Sequence, residues 1–323
     1  MKTFKPINLV LILLILATGT ILPSCKKSKS PAKSTTVTVT VSTYAGSASG
    51  FKDGTGTTAS FSLPSSVALD NAGNVYVADD ANFRVRKITA GGVVTTLSTV
   101  PAESAGIAVD VAGNVYSGGY GTRNIYKTTQ AGSISAWSLI SGVNTIYGVA
   151  VDPSGNVYVT DAHSSTIYKI TPAGIASQFA QCANTGDYGI AVDGSGNVFV
   201  GATSVIYKVT AAGVVSVYAG TGATGSADGP AAQASFTAVT SMALDGNGDL
   251  FVTDAGNNKI RVISAGGTVS TLAGTGAKAF ADGPGNVASF AAPQGITVNS
   301  AGTLIYVADY YNNRIREITV QSN

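Results

Sequence analysis

From residue 37 onward the apolar positions of this chain recur every second residue in short runs, as in VTVTV (37–41), NVYVAD (74–79) and VVTTLS (93–98). That period matches a strand with one buried face, and no 3.6-residue helical period appears after the N-terminus. Glycine-containing turns separate the runs, so the pattern predicts hairpin-linked antiparallel strands. A longer period lies over the short one. Segments of the type IAVDxxGNVYV begin at Val67, Ile107, Val149, Ile190, Met242 and Ile296, and their anchoring Asp70, Asp110, Asp152, Asp193, Asp245 and Asn299 lie 40, 42, 41, 52 and 54 residues apart.

Each copy holds a short apolar strand (A), a Gly-Asn turn, an alternating strand (B), a loop, a third strand (C) and, after Ala-Gly or Gly-Gly, a fourth (D). Four antiparallel strands about every forty residues predict the blades of a β-propeller. The sixth copy ends at REITVQSN without a strand D, whereas the chain has an unpartnered strand at Val37–Ala45. An incomplete last blade would leave a free edge beside an unsealed joint. Val37–Ala45 is therefore expected to pair beside Arg314–Val320, giving an all-β, six-bladed β-propeller closed by an N-terminal strand completing the last blade.

The combination of DxxGNVYVxD with NxRI resembles the NHL repeat, most fully in VAVDPSGNVYVTDAHSSTIYKI (149–170) and MALDGNGDLFVTDAGNNKIRVI (242–263). The resemblance covers about residues 35–320 and implies a six-bladed propeller.

The first 34 residues follow a different pattern. A short basic start and the mostly apolar Leu9–Leu22 read as a secretion signal. LPSC (22–25) resembles the lipobox of bacterial lipoproteins, which implies cleavage before Cys25 and its acylation, although an ordinary cleaved signal with a chance cysteine stays open. The expected organisation is a lipoprotein signal peptide (1–24), a lipidated cysteine and polar tether (25–34), and an NHL-type propeller (35–323). Two or three acyl chains at roughly 0.8 kcal/mol per buried methylene would hold such a protein on a membrane. The expected location is the cell envelope, lipid-anchored, at the outer membrane facing the periplasm, with surface display open. Cys182 then has no disulfide partner and reads as a small buried apolar residue.

Charge narrows the partners. Of the 19 Lys and Arg, six (Lys2, Lys5, Lys26, Lys27, Lys29, Lys33) precede residue 34, leaving 13 against 17 Asp and Glu. The folded part is mildly acidic, a poor match to nucleic acid, which calls for a basic face.

The A–B turns are uniform, and their aspartates read as turn formers rather than Ca²⁺ ligands, since each turn offers one carboxylate. The loops joining D to A are uneven: those entering blades 1, 5 and 6 are long (45–61, 219–236, 273–290) and share an Asp-Gly and a closing Ser-Phe. The same blades carry NFRVRK, NNKIRV and NNRIRE at strand C, where blades 2–4 carry NIYK, TIYK and VIYK. Variable loops on a rigid scaffold are where contacts usually sit. The sequence therefore nominates the face of the D–A and B–C loops for a protein or glycan ligand, with Asp53, Asp228, Asp282, Asn258, Asn313 and Arg314 as candidate contacts. The competing reading makes each Asp-Gly a turn and Phe61, Phe236 and Phe290 wedges between blades.

Gluconolactonase-like enzymes and streptogramin lyases share a six-bladed fold, so the alternative is a lyase or lactonase-like hydrolase at the channel mouth. The residues just before strand A are Ser65, Ala105, Tyr147, Tyr188, Thr240 and Gln294, with Asp187 the nearby acid. A single histidine, His163, cannot build a three-histidine zinc site, and no nucleophile, base and orienter assemble from the sequence. No catalytic residue, cofactor or metal site is predicted.

Overall fold

Residues 37–101, 103–143, 145–183 and 189–322 are described by the computed structural model. They form six antiparallel sheets, each with strand A innermost. Strands A to D are Pro64–Leu69, Val75–Asp79, Arg84–Ile88 and Val93–Thr99 in blade 1, and Ser104–Val109, Val115–Gly119, Asn124–Thr128 and Ile134–Leu139 in blade 2. Blade 3 is built from Ile146–Val151, Val157–Asp161, Thr166–Ile170 and Ala176–Gln181, and blade 4 from Ile190–Val192, Val198–Gly201, Ile206–Val209 and Val215–Ala219. Blade 5 comprises Val239–Leu244, Leu250–Asp254, Lys259–Ile263 and Thr268–Ala273.

Blade 6 is completed as the strand count requires. Pro293–Val298, Leu304–Asp309 and Arg314–Ser322 are followed at the outer edge by Val37–Ala45, whose register runs from Val37 opposite Ser322 to Ala45 opposite Ile315. Neighbouring A strands pack in the order 1-2-3-4-5-6-1, so the ring is closed. The core lies between the blades: Ala45, Tyr306, Ala308 and Ile315 of blade 6 pack with Phe61, Val67, Val75 and Val77 of blade 1 across the closing joint.

The A–B turns are Asx turns. Asp70 Oδ1 accepts from the N–H groups of Ala72 (2.9 Å) and Asn74 (2.8 Å), while Oδ2 accepts from the Asn74 amide (2.8 Å) and the Tyr76 hydroxyl (3.1 Å). The two backbone bonds recur at Asp110, Asp152, Asp193 and Asp245. These carboxylates are occupied in holding turns.

The long D–A loops do something the strand pattern does not reveal. Gly54–Thr55, Gly229–Pro230 and Gly283–Pro284 each add a two-residue fifth strand to the outer edge of the blade that the loop enters, against Val93–Val94, Thr268–Val269 and Thr40–Val41. An outer edge with unpaired peptide groups is a site for unwanted pairing, and these segments cover it.

Candidate functional site

The strand-C arginines of blades 1, 5 and 6 determine how those loops are held. Arg86, Arg261 and Arg316 are fully buried. Each guanidinium bridges two carboxylates: the one ending strand B, Asp79 (2.7 Å), Asp254 (2.8 Å) or Asp309 (2.6 Å), and the one in the loop, Asp53 (2.8 Å), Asp228 (2.5 Å) or Asp282 (2.5 Å). It also donates to two loop carbonyls, Ser60 and Lys52 in blade 1, and lies over the buried ring of Phe61, Phe236 or Phe290 at 5.1–5.3 Å. Burial pushes the carboxyls of Asp79, Asp254 and Asp309 upward, and bonds from a backbone N–H, an asparagine and the arginine pull them back. In blades 2–4 a tyrosine (Tyr126, Tyr168, Tyr207) replaces the arginine, and the long loop is missing.

This geometry gives the candidate contacts structural tasks. Asp53 and Asp228 clasp a loop to strand D as well as to the arginine, accepting from the N–H groups of Thr96 (3.4 Å) and Thr271 (3.1 Å), and Asp282 accepts from the Thr43 hydroxyl (3.0 Å). All three lie at the outer edges of their blades, away from the axis, with about half of each side chain exposed. Asn258 and Asn313 end one-turn 3₁₀ segments in the left-handed conformation, at φ 52° and 54°, which asparagine tolerates. Their carboxamide oxygens accept from the N–H groups of Ala292 (2.9 Å) and Leu63 (2.9 Å), tying each B–C loop to the next blade. Arg314 stacks over Phe280 at 4.1 Å and donates to the Asn312 carbonyl. Cys25, Asp187 and Tyr188 lie outside the described residues.

The structure draws a different set together, at the axis. Every second residue of strand A faces the channel. On the D–A and B–C side the lining is polar: Ser65, Tyr147, Thr240 and Gln294, with Ala105. Next comes an apolar ring of Val67, Ile107, Val149, Ile190, Met242 and Ile296, and beyond it Leu69, Val109, Val151, Val192 and Leu244 towards the A–B face. Blades 3 and 6 stand opposite each other, and the Tyr147 hydroxyl reaches across to Gln294 Oε1 at 2.8 Å. The space lined by these polar residues and the apolar ring is small, about 50 Å³.

Around that polar layer stands a rim built from one residue per blade, the first after strand B. Going round from blade 1 these are Asp80, Tyr120, Ala162, Ala202, Ala255 and Tyr310. Three adjacent blades, 6, 1 and 2, thus contribute Tyr-Asp-Tyr, and the other three contribute alanines. The bulky side chains thus fall on blades 6, 1 and 2, while Ala202 and Ala255 are buried. Tyr120 sits edge-on to Tyr147 at 5.9 Å, and Tyr310 edge-on to Tyr311 at 5.0 Å. Asp80 is only 6% exposed, and burial together with Glu103, in the loop entering blade 2, raises its carboxyl to about 7. Burial pushes the Tyr120 phenol up to about 12, and Asp80, Tyr310 and Glu103 add to the rise through their charges. His163 stands exposed in the B–C loop of blade 3. Among the described residues no three His, Cys, Asp or Glu side chains gather into a metal-binding group.

The NHL repeat family matches residues 61–88 and 290–318, the strands of blades 1 and 6 on either side of the closing joint. The chain is a six-bladed propeller that carries NHL repeats. Solved structures similar to this NHL-repeat propeller include an auxiliary nutrient binding protein of Bacteroides thetaiotaomicron (18% identity, 88% of this chain and 77% of that one, TM-score 0.76). A gluconolactonase of Xanthomonas campestris (15%, 81% and 87%, TM-score 0.62) and a catalytically inactive virginiamycin B lyase of Staphylococcus aureus (17%, 78% and 79%, TM-score 0.57) are similar as well. At such identities the likeness shows the fold alone. No curated protein matches the sequence.

Proposed function

We propose that the chain is a membrane-anchored binding propeller, tethered through Cys25, that presents its D–A and B–C face to a protein or glycan ligand. The observation that carries this reading is the asymmetric rim: two tyrosines and an acid on three adjacent blades and alanines on the facing three, beside a polar layer that the Tyr147–Gln294 hydrogen bond crosses. Aromatic faces beside hydrogen-bonding groups suit a ligand that rests on the mouth. The nutrient-binding neighbours agree with such a role. Within the face, the rim is the preferred contact, because the Asp53, Asp228 and Asp282 carboxylates are committed to arginines.

The test is a glycan array and an envelope-protein binding screen with the mature chain, repeated with Tyr120→Ala/Tyr310→Ala. A ligand lost in that variant while the melting temperature holds supports the reading; a ligand indifferent to both tyrosines counts against it. The enzymatic alternative draws on one feature, the Asp80–Glu103 pair with a carboxyl near neutrality. Turnover of lactones or streptogramins that disappears in Asp80→Asn would favour it.

A further inference from the structure

The outer edges of the six blades fall into two sets. Where a long loop lays its fifth strand along strand D, the valine opposite the loop glycine is 1% exposed: Val94 facing Gly54, Val269 facing Gly229 and Val41 facing Gly283. Among the described residues the sheets of blades 2, 3 and 4 end at strand D. Register equates those valines, paired on the inner side with Ile88, Ile263 and Ile318, with Ile134, Ala176 and Val215, paired with Thr128, Ile170 and Val209. Without a fifth strand, Ile134 is 36% exposed, and Ala176 and Val215 are partly exposed. In blade 4 the edge continues with Val214 and Val217, at 63% and 59%.

Blade 4 departs furthest from the clasped blades. Arg86, Arg261 and Arg316 face Thr96, Thr271 and Thr43 across strands C and D, and in blade 4 Tyr207 faces Val217. The charged anchor for a loop aspartate has become an apolar pair. Residues 182–189 connect strand D of blade 3 to strand A of blade 4, whereas residues 220–238 make the same connection into blade 5. At the place corresponding to the long loop, Tyr207, Val215 and Val217 of blade 4 and Gln181 and Ala183 at the end of blade 3 border an open depression of about 480 Å³. Peptide groups are available there as well. The Thr271 N–H points away from strand C, to Asp228 (3.1 Å), and the Val217 N–H, in the same register beside the same bulge, shares that direction. Blade 3 offers less, because the Phe179 carbonyl on its edge accepts from the Gly213 N–H (3.2 Å).

We propose that the outer edge of blade 4 takes an extended segment of a partner protein, which adds antiparallel to residues 215–217 and lays an aliphatic or aromatic side chain over Tyr207 and Val217. The chain's own fifth strands supply the template for its direction and register. Main-chain hydrogen bonds give such an addition its affinity, and the depression beside it gives the side-chain preference. An aspartate placed as Asp228 is would meet neither arginine nor threonine, so the occupant differs from the long loops in being apolar at that point. This surface is the outer wall of the ring, apart from the rim, and goes beyond the reading of the mouth above.

Blocked peptides of the form KSXSXSXK, with X as valine, phenylalanine or aspartate, test this by titration calorimetry against the mature chain, with a Gly-Ser peptide as baseline. The valine or phenylalanine peptide is expected to bind about ten-fold or more tightly than the aspartate one. Methylating one alternate set of its peptide nitrogens should abolish binding and methylating the other set should leave it, because an added strand pairs along one edge. Val217→Pro removes the outward N–H and keeps an apolar side chain at an edge position that tolerates proline; it should weaken binding about ten-fold at an unchanged melting temperature. Hydrogen exchange needs no variant, and the Val217 amide should gain protection when the peptide is added. The proposal is overturned if no peptide exceeds the baseline, if the three peptides bind alike, if both methylated forms bind as the parent does, or if protection appears away from blade 4. Protection of Val217 that grows with protein concentration and needs no peptide would assign the edge to a second copy and overturn it as well. None of these results involves Tyr120 or Tyr310, so the rim reading stands or falls separately.

Discussion

Replacing Asp254 by alanine separates the two halves of the arginine clasp. Asp254 is fully buried and accepts from the Thr237 N–H (2.7 Å), the Asn257 amide (2.8 Å) and Arg261 (2.8 Å). Its loss leaves a buried guanidinium with one carboxylate in place of two and removes the acceptor of the Thr237 N–H. Breaking a buried pair from one side costs about 3–5 kcal/mol. Asp228 binds the same arginine from the loop with its side chain 47% exposed, so water can take its place. Asp228→Ala is expected to cost about 1–2 kcal/mol, the scale of a replaceable charged hydrogen bond. At roughly 2–4 °C per kcal/mol for a domain approaching this size, Asp254→Ala should lower the melting temperature by about 10 °C and Asp228→Ala by a few degrees. Calorimetry and urea titration of both variants check the order. Equal losses, or a greater loss from Asp228→Ala, would refute the view that the deep end of the clasp is the desolvated one.

Three further outcomes follow, two from the structure and one from the proposed lipid anchor. The folded-state pKa of Asp80 lies above its unfolded value, so the folded chain holds a proton that the unfolded chain releases. The stability this contributes is complete below about pH 4 and is lost as pH rises to about 7, so Asp80→Asn should melt higher than wild type at pH 8 and show a flatter profile between pH 4 and 7 in thermal scans. Val41→Asp places a charge at a fully buried position of the closing strand, opposite Ile318, and should cost more than 3 kcal/mol in urea unfolding, whereas Thr38→Asp, exposed on the same strand, should be close to neutral. Cys25→Ser should abolish acylation, read by intact mass and by release of the chain from the membrane fraction; an acylated serine variant, or an unacylated wild type, would remove the anchor.

How much was legible in the sequence depended on how local each feature is. The Asx turns join residues two and four apart, so every repeat displays its own. The closing strand is long range, yet counting strands exposes it, because a blade lacking its D strand and a strand lacking a blade occur together. The fifth strands carry no sequence signal, since two residues such as Gly54–Thr55 show no alternation and read as turns. The Asp-Gly motif was visible, but its arginine lies 33 or 34 residues away. The signal that connects them is concerted presence: loop aspartate, strand-B aspartate, arginine and phenylalanine occur together in blades 1, 5 and 6. The rim is hardest to see, one residue per blade with tens of residues between. Only alignment of the six copies at the position after strand B displays Asp80, Tyr120 and Tyr310 against three alanines.

The most direct test of the account compares two double variants of the mature chain, Tyr120→Ala/Tyr310→Ala at the rim and Asp228→Asn/Asp282→Asn at the outer clasps, by ligand affinity and melting temperature together. The account predicts that the rim variant loses binding by ten-fold or more at an unchanged melting temperature, and that the clasp variant melts several degrees lower and binds as wild type. The opposite pairing, binding lost at the clasps and retained at the rim, would contradict it.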